Sequence, residues 1–453
     1  MLLRARHVLP ITSPPLLDGA VRVEDGRLTD VGPASDLRPR TDEEIVELGC
    51  TALLPGLVNA HSHLEISILR GHVGGRDLLS WIDSLIHLVK VFGEGDHQTS
   101  IRLGVLEALS SGITCVGDHG LSGEVPGVLS ETGLRGVSYQ EGFAFHPRDV
   151  AATLDRLSGE LPYWRAEAGP LVTIGLTPHS PYTSHPDLWH GLGELAEREN
   201  LPVSVHLAES PAEVAYLRDG GGPIGARRHV QGRPTWECER RPVEFLKDRG
   251  WLDQSFPLQL VHLTQANAAE LALLTEAREE GRTLGLVACP RSNLRLGNGL
   301  PDLPGWSRLG LRWGLGTDGA PAVGSCDLFQ ELAHAETTFA NETDRPAAAT
   351  WLRRVTLDAA ASLGLDDRIG SLEAGKEADL VALDLSGPHT TPAADPEAAV
   401  VFGARPSDVS WVMVGGKVLV DRREGGSGLA TLDAPTLLAE AERRAEEIVD
   451  RAG

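Results

Sequence analysis

His61 and His63 stand one residue apart behind an apolar run, in "LLPGLVNAHSHLE". Alternate side chains of a strand point the same way, so the two imidazoles leave a strand end together. Single polar residues follow later apolar runs in the same manner. They are His179 in "GLTPHSPYT", His206 and Glu209 in "VSVHLAES", His262 in "LQLVHLT" and Asp318 in "LGLGTDGAP". A lone histidine at a strand end is more often a structural residue than a ligand. Imidazoles at four strand ends plus an aspartate at another make a site for Zn²⁺ or Fe²⁺ that leaves room for water.

The elements that must carry these residues are eight short apolar or β-branched runs, at 53–59, 113–117, 134–140, 171–177, 202–206, 258–262, 283–289 and 311–316. Segments with apolar residues at helical spacing separate them, such as "HPDLWHGLGELAEREN" and "NAAELALLTEAREEG". Eight strands alternating with helices have the size of a (β/α)8 barrel of the α/β class. No GxGxxG follows the first strand, which counts against a doubly wound open sheet. In a barrel, chemistry sits at the C-terminal ends of the strands, where the histidines lie.

The chain ends read differently. Residues 1–52, with "GAVRVEDGRLTDVG", and 371–430, with "VSWVMVGGKVLVDRR", carry hairpin-like β patterns. Neither is long enough for a comfortable core, so the two are expected to pair into one small β-sandwich domain beside a barrel of residues 53–370. Residues 431–453 read as an amphipathic helix for surface packing or a homodimer contact. The glycine- and arginine-rich stretch 217–242 is too long for a plain connector and reads as a lid or a surface insertion.

Net charge is −23, which argues against a nucleic-acid partner. No run of about 18 apolar residues suggests a membrane span, and the N-terminus has no apolar core of a signal peptide. Five scattered cysteines without a CxxC pair fit a reducing cytoplasm. The only lysines are Lys90, Lys247, Lys376 and Lys417. None is near the fourth strand, so the resemblance described below, in which a lysine of that strand bridges metal pairs, implies one metal ion here. Glu141, after the third strand, is a weaker bridging candidate.

The segments "LLPGLVNAHSHLE", "TPHSPYT", "HLAES", "CPRSNLRLGNG", "GTDGAP" and "GSLEAGKEADLVALDL", in this order, resemble the amidohydrolase superfamily. The resemblance is closest to its cytosine, adenosylhomocysteine and chlorohydrolase-like deaminase branch. It implies that His61, His63, His206 and Asp318 bind a divalent metal ion, zinc or iron. Asp318 also takes a proton from water, Glu209 protonates a ring nitrogen of the substrate, His262 stands beside the attacking water and His179 touches substrate. One departure is Gly319, where serine is usual after the aspartate. Alternatives are release of chloride or an alkylamine by the same chemistry, or a metal-free scaffold on this fold.

Adenosylhomocysteine and methylthioadenosine deaminases usually carry an acid where this chain has Ser80, in "GRDLLSWIDSLI". A serine grips a ribose diol less well than a carboxylate does. Glu65, in "HSHLE", has the strand parity of His61 and His63. The set "HSHLE", "SWI", "HLAES" and "CPRSN" is similar to that of aminodeoxyfutalosine deaminases. That similarity implies an aminated purine nucleoside, 6-amino-6-deoxyfutalosine, as small-molecule substrate. Glu65 and Arg291 are then substrate-binding candidates, Arg291 for a carboxylate at the far end.

Overall fold

The computed structural model describes residues Met1 to Gly453 except Arg76, Glu237 and Ser427. Eight parallel strands form the barrel: β1 (Leu57–Ser62), β2 (Ile113–Gly120), β3 (Arg135–Glu141), β4 (Val172–Thr177), β5 (Val203–Leu207), β6 (Leu258–His262), β7 (Leu284–Ala288) and β8 (Trp313–Leu315). They pair in sequence order from β1 to β8. Nearly every strand residue is buried, as parallel strands covered by helices require. The seam between β8 and β1 closes just past β8. Asp318 N–H donates to the His61 carbonyl at 2.9 Å, and the Asn59 side chain bonds Thr317 N and Oγ1 at 2.9 and 2.8 Å. Gly316 is required at this seam, because a Cβ there would come within 2.7 Å of the His61 backbone.

The chain ends join in one mixed nine-stranded sheet. Its central strand, Thr51–Pro55, runs parallel to Leu2–Val8 and antiparallel to Leu380–Asp384. The first apolar run therefore divides. Residues 53–55 belong to this sheet, the chain turns at Gly56, and β1 begins at Leu57. Pro55 and Gly56 break a run whose hydrophobicity alone reads as one strand. The sheet wraps around a core that includes Leu3, Val21, Leu53, Leu380, Trp411 and Met413. Arg135, at the start of β3, ties barrel to sheet. It is fully buried and donates to Asp379 through Nε at 2.7 Å and Nη2 at 2.8 Å, with Glu377 at 2.7 Å from Nη2.

The last helix, Ala434–Ala452, buries Leu437, Ala441, Ala445 and Ile448 along one stripe. The stripe packs on its own chain, beside the helix Asp96–Ser110. Arg444 and Arg451 reach the buried Asp96 at 2.8 and 2.5 Å. Cys115, Cys289 and Cys326 are buried, and among the described residues all five cysteines are free thiols. No helix among the described residues is long and apolar enough to cross a membrane.

Candidate active site

Every strand-end residue of the barrel that the sequence singles out arrives at one place. β1 ends at Ser62 and delivers His61 and then His63. The turn behind them is held by Asp118 of β2, whose Oδ1 accepts from Ser62 Oγ at 2.9 Å and Leu64 N at 2.8 Å. β5 delivers His206. Beyond it Ala208 turns left-handed, and the Glu213 carboxylate accepts the N–H groups of Ala208 and Glu209 at 2.9 and 2.8 Å. This clamp fixes Glu209. β4, β6 and β8 lead into His179, His262 and Asp318, with φ of 63°, 78° and 63°. Three non-glycine residues in that region cost on the order of 1–3 kcal/mol each, strain of the kind that clusters at functional sites.

The nitrogens of His61 and His63 lie 3.6 and 3.5 Å from Asp318 Oδ1. Both ring nitrogens of His61 are buried with no hydrogen-bond partner among the described residues. His206 Nδ1 donates to the His179 carbonyl at 3.2 Å, which leaves its Nε2 as a bare lone pair. Burial pushes the His63 pKa down to about 4, with His61 adding to the effect, while Asp318 and a bond to the His119 backbone oppose it. Burial likewise lowers His179 and His262 to about 3, and His206 falls well below its ordinary value. Burial works against the charge on Asp318, but the ring of His61 and its neighbours hold it far below the carboxylate range. Neutral imidazoles, orphaned buried nitrogens and one ionised carboxylate are the donor set a divalent cation needs.

The segment "CPRSNLRLGN" supports the site from behind. Ser292 Oγ donates to Asp318 Oδ2 at 2.5 Å, Asn293 shares a hydrogen bond with His262 Nδ1 at 3.0 Å, and Asn298 Nδ2 donates to Glu209 Oε1 at 3.1 Å. Asp318 Oδ1 also accepts Gly319 N–H at 2.7 Å, so a serine at 319 is not needed to hold this carboxylate. Burial pushes the Glu209 carboxyl well above the ordinary carboxylate range, reinforced by Asp318 and Glu213.

A cavity of about 440 Å³ opens over this cluster, within the range of small-molecule sites. His63, His179, His206, Glu209, His262 and Asp318 form its floor, and Trp81, Phe143 and Phe145 contribute apolar wall. Glu65 lines it too, but strand parity does not put it there. The chain has already turned into a short 3-10 helix, Leu64–Leu69, and the carboxylate accepts the N–H groups of Leu121 and Ser122 at 2.9 and 3.0 Å. Arg291 does not line the cavity. It is turned away, with its guanidinium bonded to the carbonyls of Val323 and Ser325 and paired with Glu331 at 3.4 Å. Ser80 does not line it either; it belongs to the capping box that starts the helix Leu78–Val89. Glu141 is at the wall, its carboxyl pushed up by burial and by Glu65 and Asp118.

The stretch 217–242, of which Glu237 lies outside the described residues, holds the end of the helix Pro211–Asp219 and the whole of the helix Gly222–Val230. Ile224, Arg227, Arg228 and Arg233 line the cavity, so this excursion forms its wall. Arg228 is spent on structure, bonding the Pro234, Tyr182 and Phe145 carbonyls beneath Trp236. Sequence reading missed Asp118 and His119. His119 follows the second apolar run as His206 follows the fifth, so the same rule could have found it.

The model of the amidohydrolase family matches residues 52–419. The chain belongs to the amidohydrolase family. It is 31% identical over 450 residues to a 5-methylthioadenosine/S-adenosylhomocysteine deaminase of Moorella thermoacetica, with 98% of each chain covered. The crystal structure of an adenosine deaminase from Xanthomonas campestris with bound zinc superposes with a TM-score of 0.84 at 30% identity, covering 99% of this chain and 98% of that one. An aminofutalosine deaminase from Helicobacter pylori shares the fold, with a TM-score of 0.78 at 21% identity over 92% of this chain and 100% of that one. This amidohydrolase is a hydrolytic deaminase, and the fit of its donor set to a divalent metal agrees with that chemistry.

Proposed function

We propose that the protein deaminates an adenine-type nucleoside that carries an acid at its far end, with 6-amino-6-deoxyfutalosine as substrate and futalosine plus ammonia as products. The observation that carries the deaminase chemistry is the place of Glu209, with Oε1 3.9 Å from His262 Nε2, on the floor formed by the cluster of histidines and Asp318. His61, His63, His206 and Asp318 would hold one zinc or iron ion. Such an ion lowers the pKa of a water molecule from about 15.7 to about 7 and so supplies a nucleophile at neutral pH.

The chain's own groups do the proton work. Asp318, ionised, accepts a proton from the water that adds to the amine-bearing ring carbon. Glu209 donates its proton to the adjacent ring nitrogen, so that negative charge does not accumulate on the ring. His262, held by Asn293, faces the new oxygen. Return of a proton to the exocyclic nitrogen breaks the C–N bond and releases ammonia. Groups in such roles contribute about 10²–10⁴-fold each. The apolar wall of Trp81, Phe143 and Phe145 suits a purine and an aromatic tail.

The mouth of the cavity favours an acid at the far end of the substrate. Lys90 and Arg233 line it, and neither has a hydrogen-bonded or ion-paired acid among the described residues. Burial and the nearby Arg227 push the Arg233 pKa down, the mark of a guanidinium without a counter-ion. In a chain of net charge −23 this local cationic rim stands out. It takes over the carboxylate-binding role first suggested for Arg291.

A second reading, deamination of S-adenosylhomocysteine or methylthioadenosine, is favoured by the name of the Moorella relative. The test is kcat/KM, read by ammonia release, for aminodeoxyfutalosine beside adenosylhomocysteine, methylthioadenosine, adenosine and cytosine. Aminodeoxyfutalosine is expected to lead. If any of the other four exceeds it tenfold, the substrate assignment falls and the deaminase reading stands on whichever compound wins.

A further inference from the structure

His119, at the end of β2, belongs to none of the roles above, yet it lies against the metal-binding cluster. Its ring centroid is 4.6 Å from that of His61 and 4.7 Å from that of His206. Nitrogens of His61, His119 and His206 all lie within 4.8 Å of one another, close enough to share one cation. The residue is fully buried.

A hydrogen-bond relay fixes which of its nitrogens carries the proton. Gln259 Nε2 donates to the Ala60 carbonyl at 3.1 Å and the Ser362 carbonyl at 3.3 Å, so the amide can be oriented only one way and Oε1 is its acceptor. Ser204 Oγ donates to that Oε1 at 2.7 Å. A hydroxyl has one proton, and this one is now used. At 2.8 Å from His119 Nε2, the Ser204 oxygen must therefore accept, and Nε2 carries the hydrogen. Nδ1 is left as a bare lone pair, buried and without a partner among the described residues. One ring nitrogen held as N–H by an outer acceptor while the other is presented bare is the arrangement of a metal-bound imidazole.

We propose that His119 Nδ1 is a further donor to the metal ion, giving four imidazoles and one carboxylate, with Ser204 and Gln259 setting its tautomer. This rests on the reading of the cluster as a metal site. Zinc can expand beyond its usual four donors, and iron in sites with open positions takes more.

The test uses the full-length protein loaded with zinc. Zinc-edge X-ray absorption counts imidazoles, and competition with a chromophoric chelator gives the Kd. Four imidazoles are expected in the wild type and three in His119→Phe, with the Kd rising 10- to 100-fold. Ser204→Ala keeps the imidazole but frees its tautomer, and its Kd is expected to rise about tenfold; it serves as the test if His119→Phe does not fold. Three imidazoles in both wild type and His119→Phe, or an unchanged Kd in both variants, would overturn the proposal and make His119 a packing residue. A wild type that binds no zinc would instead overturn the metal reading on which it rests.

Discussion

His63 Nε2 and His206 Nε2 lie 3.3 Å apart in the floor of the cavity. His206 has committed its other nitrogen to a backbone carbonyl, and burial keeps both rings uncharged. The bare His206 Nε2 therefore faces His63 Nε2 at a distance that only a cation or a proton between the two nitrogens makes favourable. From this comes the first prediction. His206→Ala or His61→Ala should lose bound metal and turnover together, measured as metal per chain by mass spectrometry beside ammonia release. Full metal retention with lost turnover would show that the ligand set has been misassigned.

Glu209→Gln should fold and keep its metal while kcat falls about 10²–10⁴-fold. Glutamine preserves the shape and the bond to Asn298 but has no proton to give. Near-normal kcat in this variant would place the proton donor elsewhere.

The same residue sets a pH dependence. Burial raises the Glu209 pKa, with Asp318 and Glu213 adding to the effect, so the working, protonated form persists to higher pH than for an ordinary glutamate. Above the raised pKa that form is lost, and log kcat/KM should fall with a slope approaching −1. A rate that stays level or rises across the whole alkaline range would rule out a titrating acid in this role.

Arg233→Gln should raise KM for an acid-tailed nucleoside at least about tenfold, the worth of one charged hydrogen bond, and leave methylthioadenosine unaffected. Steady-state kinetics on both substrates decides it. Equal effects on the two would mean that Arg233 shapes the wall and does not read charge.

Removing every partner of a buried charge leaves it stranded. The double change Asp379→Ala with Glu377→Ala should therefore cost about 3–5 kcal/mol, because Arg135 is fully enclosed beneath the end sheet and these are its two carboxylates among the described residues. Denaturant unfolding of the metal-loaded protein would show it, and a loss below about 1 kcal/mol would mean that water reaches Arg135.

The barrel was legible in the sequence because each strand is a short apolar run, and the site because five of the eight runs lead into the histidines and the aspartate of the cluster. The composite end sheet was legible because neither terminal segment can bury a core alone. What escaped were residues whose direction depends on local turns. Glu65 sits in a 3-10 turn, where the two-residue period of a strand no longer applies. Arg291 opens the short helix Pro290–Arg295, where successive residues rotate about 100°. That rotation sends Arg291 away from the cavity while its neighbours Ser292 and Asn293 face Asp318 and His262. His119 was missed although it follows an apolar run as the other histidines do. Its relay through Ser204 and Gln259 joins three strands and has no sequence signature.

The central claim is that this cluster, loaded with a divalent metal, removes the amine from an adenine-type nucleoside. Its most direct test measures ammonia released per nucleoside consumed, with protein stripped by chelator and then reloaded with zinc or iron. One ammonia per nucleoside, lost on stripping and restored on reloading, is the predicted result. A protein that carries a full complement of metal yet releases no ammonia from any adenine nucleoside would contradict it.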